Sequence, residues 1–161
     1  LAASIAVSTV ELKLEAVALD WRGSPIVVLR EREGERAVFI WVGIAEATAI
    51  SMKLEGQTPP RPLTHDLIVS ILTQVGVKVD RVVITDMRVD TYYAQIYLSG
   101  ENSHEPIDCR PSDAIAVALR TEAPIHIDCD LLDRLDAERK EKGVDLSAES
   151  TVVEPGETAI H

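Results

Sequence analysis

Apolar and charged residues alternate along positions 10–20, the two-residue period of a strand with one face buried. A turn cluster follows at Trp21, Arg22, Gly23, Ser24 and Pro25, then two further apolar runs at 26–32 and 37–42, separated by Glu33-Gly34-Glu35. Three strands joined by short turns predict an antiparallel meander.

The period then changes. Residues 45–55 have helical composition and stop at Gly56, a residue suited to the left-handed turn that ends helices. Gln57 to Pro62 holds three prolines and is read as an irregular link. A second helix is predicted from Thr64, taken as its N-cap, to Gly76. Its apolar residues Leu67, Ile68, Ile71, Leu72 and Val75 form one stripe of a 3.6-residue repeat.

Strands return at 80–87, 91–98 and 105–109. A helix opened by Arg110, Pro111, Ser112 and Asp113 runs to about Arg120. Residues 124–129 form another strand. The single helix between this strand and the preceding one predicts that the two run parallel through a right-handed crossover. A last helix is read at 131–142, with Leu131, Leu132 and Leu135 inward.

The fold class is therefore α+β, with two similar strand-rich halves: three strands then helices, and three strands then helix, strand, helix. Glu46 to Ile50 and Asp113 to Val117 occupy matching places after a third strand, which suggests an internal duplication. Residues 1–9 are read as an N-terminal extension, 10–135 as the domain, and 136–161 as a helix end followed by a mobile acidic tail.

Composition narrows the functional classes. Hydrophobic residues make up 46% and aromatics only 4%, so Val, Ile, Leu and Ala must build the core. The formal charge of −11 disfavours general electrostatic binding to nucleic acid, so any such binding needs a local basic cleft or bridging cations. Cys109 and Cys129 show no zinc spacing and are read as reduced thiols; if their similar words are strands flanking one helix, the thiols become neighbours. No signal-peptide pattern and no run near about eighteen apolar residues is present, so a cytoplasmic protein without a membrane span is expected.

Two segments concentrate chemistry: Arg61-Pro62-Leu63-Thr64-His65-Asp66 and Asp108-Cys109-Arg110-Pro111-Ser112-Asp113. Each sets Arg-Pro ahead of a hydroxyl and an acid at a helix start. One reading is structural: proline suits the first turn, hydroxyls cap free N–H groups, and acids offset the helix dipole. The other is functional, because a helix N-terminus flanked by Arg receives anions. On that reading Arg61, Thr64, Arg110 and Ser112 bind phosphate. Asp66, Asp108 and Asp113 hold a divalent cation such as Mg²⁺ or Mn²⁺, which activates water. His65, Asp66 and Asp113 carry the proton chemistry. His104 is expected to be solvated, and His126 to be a structural or edge residue. P-loop, HExxH and GxSxG patterns are absent, which disfavours those chemistries.

These residues resemble the bifunctional nuclease family. The resemblance lies in Val38 to Gly43, Glu46-Ala47, Pro59 to Leu67, Val82 to Asp86 and Thr91 to Ala94. It is strongest at Asp108 to Ala116 with Arg120, and it covers residues 10–135. Cys109 stands where the family usually has a small residue, and Val89-Asp90-Thr91 replaces a more usual glycine-containing turn. Residues 136–161 show no match to the helical hairpin module that some relatives carry at the C-terminus.

The resemblance implies a mixed α+β fold, a homo-oligomer (dimer or trimer), and nuclease action on RNA and DNA, with single-stranded RNA or DNA as partner. Two other readings stay open beside it. One is a non-enzymatic module binding an anion or a partner. The other is a scaffold in which Arg61 and Arg110 pair with the chain's own carboxylates.

Overall fold

A computed structural model of the chain describes residues 7–100 and 105–143. The elements in chain order are β1 (Thr9–Leu19), β2 (Pro25–Glu31), β3 (Ala37–Trp41), α1 (Ile44–Leu54), α2 (Thr64–Gln74), β4 (Lys78–Arg88), β5 (Thr91–Ser99), β6 (Ile107–Cys109), α3 (Pro111–Thr121), β7 (Ile125–Asp128) and α4 (Cys129–Glu141). All seven strands join one curled sheet in the order β3-β2-β1-β7-β4-β5-β6.

The sheet explains the two similar halves. β1-β2-β3 and β4-β5-β6 are both antiparallel meanders, and each winds outward from the central β7. β7 pairs antiparallel with β1 and parallel with β4. The strands on either side of α3 thus share a direction, as expected, but they are not adjacent: β4 and β5 lie between β6 and β7. This separates the two cysteines. Cys109 Sγ contacts the Ala94 carbonyl at the sheet edge, while Cys129 Sγ lies 3.2 Å from Ser8 Oγ at the start of α4.

Alternation assigns the faces. Leu12, Val27, Leu29, Val38, Ile40, Val82, Ile84, Ala94, Ile96, Ile125 and Ile127 point to one side, where Ala114 to Ala118 of α3 and Leu131 and Leu132 of α4 close the core. The other side carries polar pairs such as Arg32–Glu11 and Arg30–Glu15. Thr9 Oγ1 lies 3.0 Å from His126 Nδ1 there, which places His126 in a structural role on a central strand.

One expectation for α2 is corrected. Its N-cap is Leu63, and Thr64 is the first helical residue. Asp66 causes this, because its carboxylate accepts the Leu63 N–H at 2.7 Å and so caps the turn one residue earlier. Most of the apolar stripe faces solvent: Leu67, Ile68, Ile71 and Val75 are exposed. α2 packs on α3 outside the helix layer, and it turns His65 and Val69 inward.

β4 and β5 are joined by the two-residue turn Val89-Asp90, both at positive φ (46° and 59°). That is the mirror-image turn that fits hairpin twist, here built without the glycine it favours. His104 and the tail at 144–161 lie outside the described residues, as do residues 1–6.

Candidate functional site

Three helices each carry an acid at their third residue: Glu46 in α1, Asp66 in α2 and Asp113 in α3. This position faces the free N–H groups and the positive end of the helix dipole. α1 and α2 both pack against α3, and Arg110 links the acid of α1 to that of α3.

Asp113 sits at the junction. Its Oδ1 lies 2.9 Å from His65 Nε2, joining the starts of α2 and α3 across 48 residues of chain. Its Oδ2 accepts Arg110 Nε at 2.7 Å, and Arg110 Nη2 reaches Glu46 Oε1 at 2.8 Å. Burial pushes the Asp113 carboxyl up, but the bonds from Arg110 and His65 outweigh it and hold it below the usual carboxylate range. Asp113 is therefore a carboxylate at neutral pH.

Asp66 belongs to a second arm. Its Oδ1 accepts Arg120 Nε at 2.6 Å. Arg120 also donates to the carbonyls of Ala116 and Ala49, at 2.9 and 3.1 Å, so one buried guanidinium ties α1, α2 and α3 together. Burial pushes Asp66 up, while the Leu63 N–H and Arg120 pull it further down, for a net lowering.

Glycine at 43 makes room for this arrangement. Gly43 is the N-cap of α1, and a Cβ there would meet the Glu46 carboxylate that holds Arg110.

The sequence-derived candidates divide clearly. His65, Arg110 and Asp113 come together, with buried Ser112 beside them, while Asp66, next to His65 in α2, pairs with Arg120. Thr64 is exposed and offers no side-chain cap. Arg61 is exposed, with no carboxylate within ion-pair distance among the described residues. Asp108 is a correction. It pairs with Gln95 of β5, whereas its neighbours Ile107 and Cys109 pair with the core residues Ile96 and Ala94. Strand alternation therefore aims Asp108 at the opposite face of the sheet from Asp66 and Asp113.

The trio Asp66, Asp108 and Asp113 is thus not assembled. Among the described residues no group of three or more His, Cys, Asp or Glu side chains is placed to hold a metal ion. Asp66 and Asp113 are instead engaged by arginines.

Sequence reasoning did not weigh Glu46 or Arg120 as site residues. Arg120 could have been found from its spacing, since it stands seven residues after Asp113 on the same helix, near two full turns. Glu46 carried a signal in its match to the Asp113 position of the other half.

Two open clefts border the cluster. One, of about 470 Å³, includes Trp41, Gly43, Tyr92, Arg110 and Ser112 in its lining. The other, of about 300 Å³, includes Lys53, Pro62, Asp66, Ser70 and Arg120. Of the two arginines Arg110 faces outward: its side chain is 65% exposed, against 7% for Arg120. Among the described residues no helix is long and apolar enough to cross a membrane.

Comparison with known proteins fits these motifs. Residues 27–140 match the model of the bifunctional nuclease domain. An uncharacterized protein of Mycobacterium tuberculosis is 38% identical over 107 residues, covering 66% of this chain and 63% of that protein. Bifunctional nuclease 1 of Oryza sativa subsp. japonica is 35% identical over 71 residues, 42% of this chain and 22% of that protein. Bifunctional nuclease 1 of Arabidopsis thaliana is 27% identical over 112 residues, 67% of this chain and 34% of that protein. The chain thus spans less than two thirds of the length of these relatives. A family model covering most of the sequence, carried by motifs that converge in space, leads to one conclusion: the chain belongs to the bifunctional nuclease domain family.

Proposed function

We propose that the chain is a nuclease that hydrolyses phosphodiester bonds of single-stranded RNA and DNA at the cleft beside Arg110. The observation that carries this reading is the His65–Asp113–Arg110 chain of contacts, which sets an ionised carboxylate and an exposed guanidinium side by side at a cleft edge. Arg110 has the planar fork that suits a phosphate and faces solvent. Its own side chain is 65% exposed, so a substrate phosphate can reach it in competition with Glu46 and Asp113, whose side chains are 16% and 27% exposed.

In the hydrolysis, water attacks phosphorus and gives up a proton, the P–O bond to the leaving oxygen breaks, and that oxygen takes a proton from solvent to leave as a hydroxyl. Asp113 accepts the proton of the attacking water, and His65, buried behind it, fixes the carboxylate's orientation. Arg110 offsets charge on the non-bridging oxygens. A Mg²⁺ or Mn²⁺ requirement would be met through substrate phosphates and one or two carboxylates, the usual mode for Mg²⁺. The setting is taken to be cytoplasmic, so assays belong under reducing conditions.

The formal charge of −11 favours a second reading, in which the same cleft holds an anion or a partner and breaks no bond. Incubation of purified protein with single-stranded RNA or DNA, with and without Mg²⁺ or Mn²⁺, separates the two. Shortened products that vanish in the Arg110→Ala/Asp113→Ala variant support the nuclease reading. Thermal stabilisation by phosphate or nucleotides without any cleavage supports the second.

A further inference from the structure

Charge leaves the cleft beside Arg110 short of attraction for a polyanion. Phosphate contacts from Lys and Arg supply most of the affinity of non-specific nucleic-acid binding. Among the described residues lining this cleft Arg110 is the one cation, and Asp90 on the same lining opposes it. The chain as a whole carries −11. A strand held here needs a contact that does not depend on charge, and a base stacked on an aromatic ring is such a contact.

The sequence has six aromatic residues: two Trp, three Tyr and one Phe. Arginines already cover three of the rings. Arg22 lies 4.5 Å from the ring centre of Trp21, Arg81 4.0 Å from that of Tyr97, and Arg88 5.2 Å from that of Tyr93. Phe39 and Tyr92 are half-buried, and Tyr92 packs against the core. Of the six, Trp41 is the one that is both well exposed, at 59%, and part of the cleft lining.

We propose that Trp41 is the platform on which an unpaired base stacks while Arg110 holds a phosphate of the same strand. This rests on the reading that single-stranded RNA or DNA occupies the Arg110 cleft. Trp41 is the last residue of β3, and β3 is an edge strand of the sheet. Ile40 before it is buried in the core, so alternation turns the Trp41 side chain toward the outer face. Trp41 therefore stands at the lip, where a strand leaving the cleft passes over the sheet edge.

The ring is also held in place. Its Nε1–H donates to Asp20 Oδ2 at 3.0 Å, and Asp20 Oδ1 accepts the N–H groups of Arg22 and Ser24 at 2.9 and 2.8 Å. Asp20 thus ties the indole to a closed turn, and Ser24 of that turn lines the same cleft. A platform fixed before binding loses little freedom when a base lands on it. Stacking needs a base with a free face, so the platform selects single strands over duplex. Every base has such a face, so it tolerates sequence. It does not separate RNA from DNA, because the contact is to the base and not to the sugar hydroxyl.

Trp21→Phe leaves Trp41 as the sole tryptophan of the full chain, and its fluorescence tests the proposal. In Mg²⁺ buffer a short oligodeoxyadenylate is expected to quench that emission. An abasic strand with the same number of phosphates, or the oligomer paired with its complement, is expected to quench far less at equal concentration. Trp41→Ala is expected to weaken binding of a labelled oligomer by about tenfold, read by anisotropy, and Trp41→Phe to keep most of it. The same samples run on a gel report cleavage. Cleavage without quenching overturns the platform and leaves the nuclease reading standing. Quenching by the base-bearing strand without cleavage supports the platform and counts against the nuclease reading. Equal quenching by the abasic strand, or no binding of any strand, overturns the platform.

Discussion

Asp113 Oδ1 lies 2.9 Å from His65 Nε2, so two proline-led helix starts far apart in sequence share one hydrogen bond. The contact has a pH signature. Arg110 and His65 hold the Asp113 carboxyl below its ordinary value against the opposing push of burial. A carboxylate lowered on folding stabilises the native state above its unfolded pKa, about 3.9, and that contribution disappears as pH falls through the folded value. Thermal unfolding should therefore show wild type more stable than Asp113→Asn at pH 6, with the gap closing below about pH 4. A gap that widens on acidification contradicts the assignment.

The two arginines of the cluster should differ sharply. Arg120 is buried and bonded to Asp66, Ala49 and Ala116. Arg120→Ala strips a partner from a largely buried pair, and urea unfolding should register a loss of about 3 kcal/mol. Arg110 is itself 65% exposed, and water can reach the Glu46 and Asp113 carboxylates once it is gone, so Arg110→Ala should cost less than Arg120→Ala. Equal losses would mean that Arg110 is a structural residue and not a free hand for phosphate.

Much of this cluster was legible in the sequence, and the reasons are physical. Arg-Pro followed by an acid names a helix start because proline, free N–H groups and the dipole all act locally. Which starts meet depends on packing, so the His65–Asp113 contact and the role of Glu46 needed coordinates. The alternation in 10–20 and 91–98 fixed the faces of β1 and β5. A three-residue strand at 107–109 was too short for its periodicity to show that Asp108 points away. The stripe on α2 was legible as one apolar face, but periodicity does not say what covers such a face, so its exposure depends on the packing of α2. The crossover through α3 gave direction without adjacency, since chain order cannot show which strands lie between β6 and β7.

The β4–β5 turn offers a stability gain. Val89 is β-branched, and its φ of 46° is costly for such a residue. Replacing Val89-Asp90 with Asn-Gly supplies the residues this turn prefers. Chemical denaturation of the double variant should show about 1 kcal/mol of added stability, from relief of left-handed strain. No gain would imply that the turn relaxes into another form in solution.

The thiols should react in order. Burial, then the nearby charges of Asp113 and Asp108, pushes the Cys109 thiol up to about 12. Iodoacetamide at pH 8 should label Cys129 first and reach Cys109 only with unfolding. Mass spectrometry of the peptides distinguishes the sites, and early modification of Cys109 would contradict its placement.

The central claim is that Arg110 and Asp113 form the working edge of a nuclease. Gel-resolved cleavage of a labelled single-stranded RNA measures it directly, with wild type and the Arg110→Ala/Asp113→Ala variant purified side by side. Cleavage by the wild type is expected, with a loss of at least about a hundredfold in the variant, the scale on which acid–base and charge-stabilising groups act. Equal cleavage by the two preparations would contradict it.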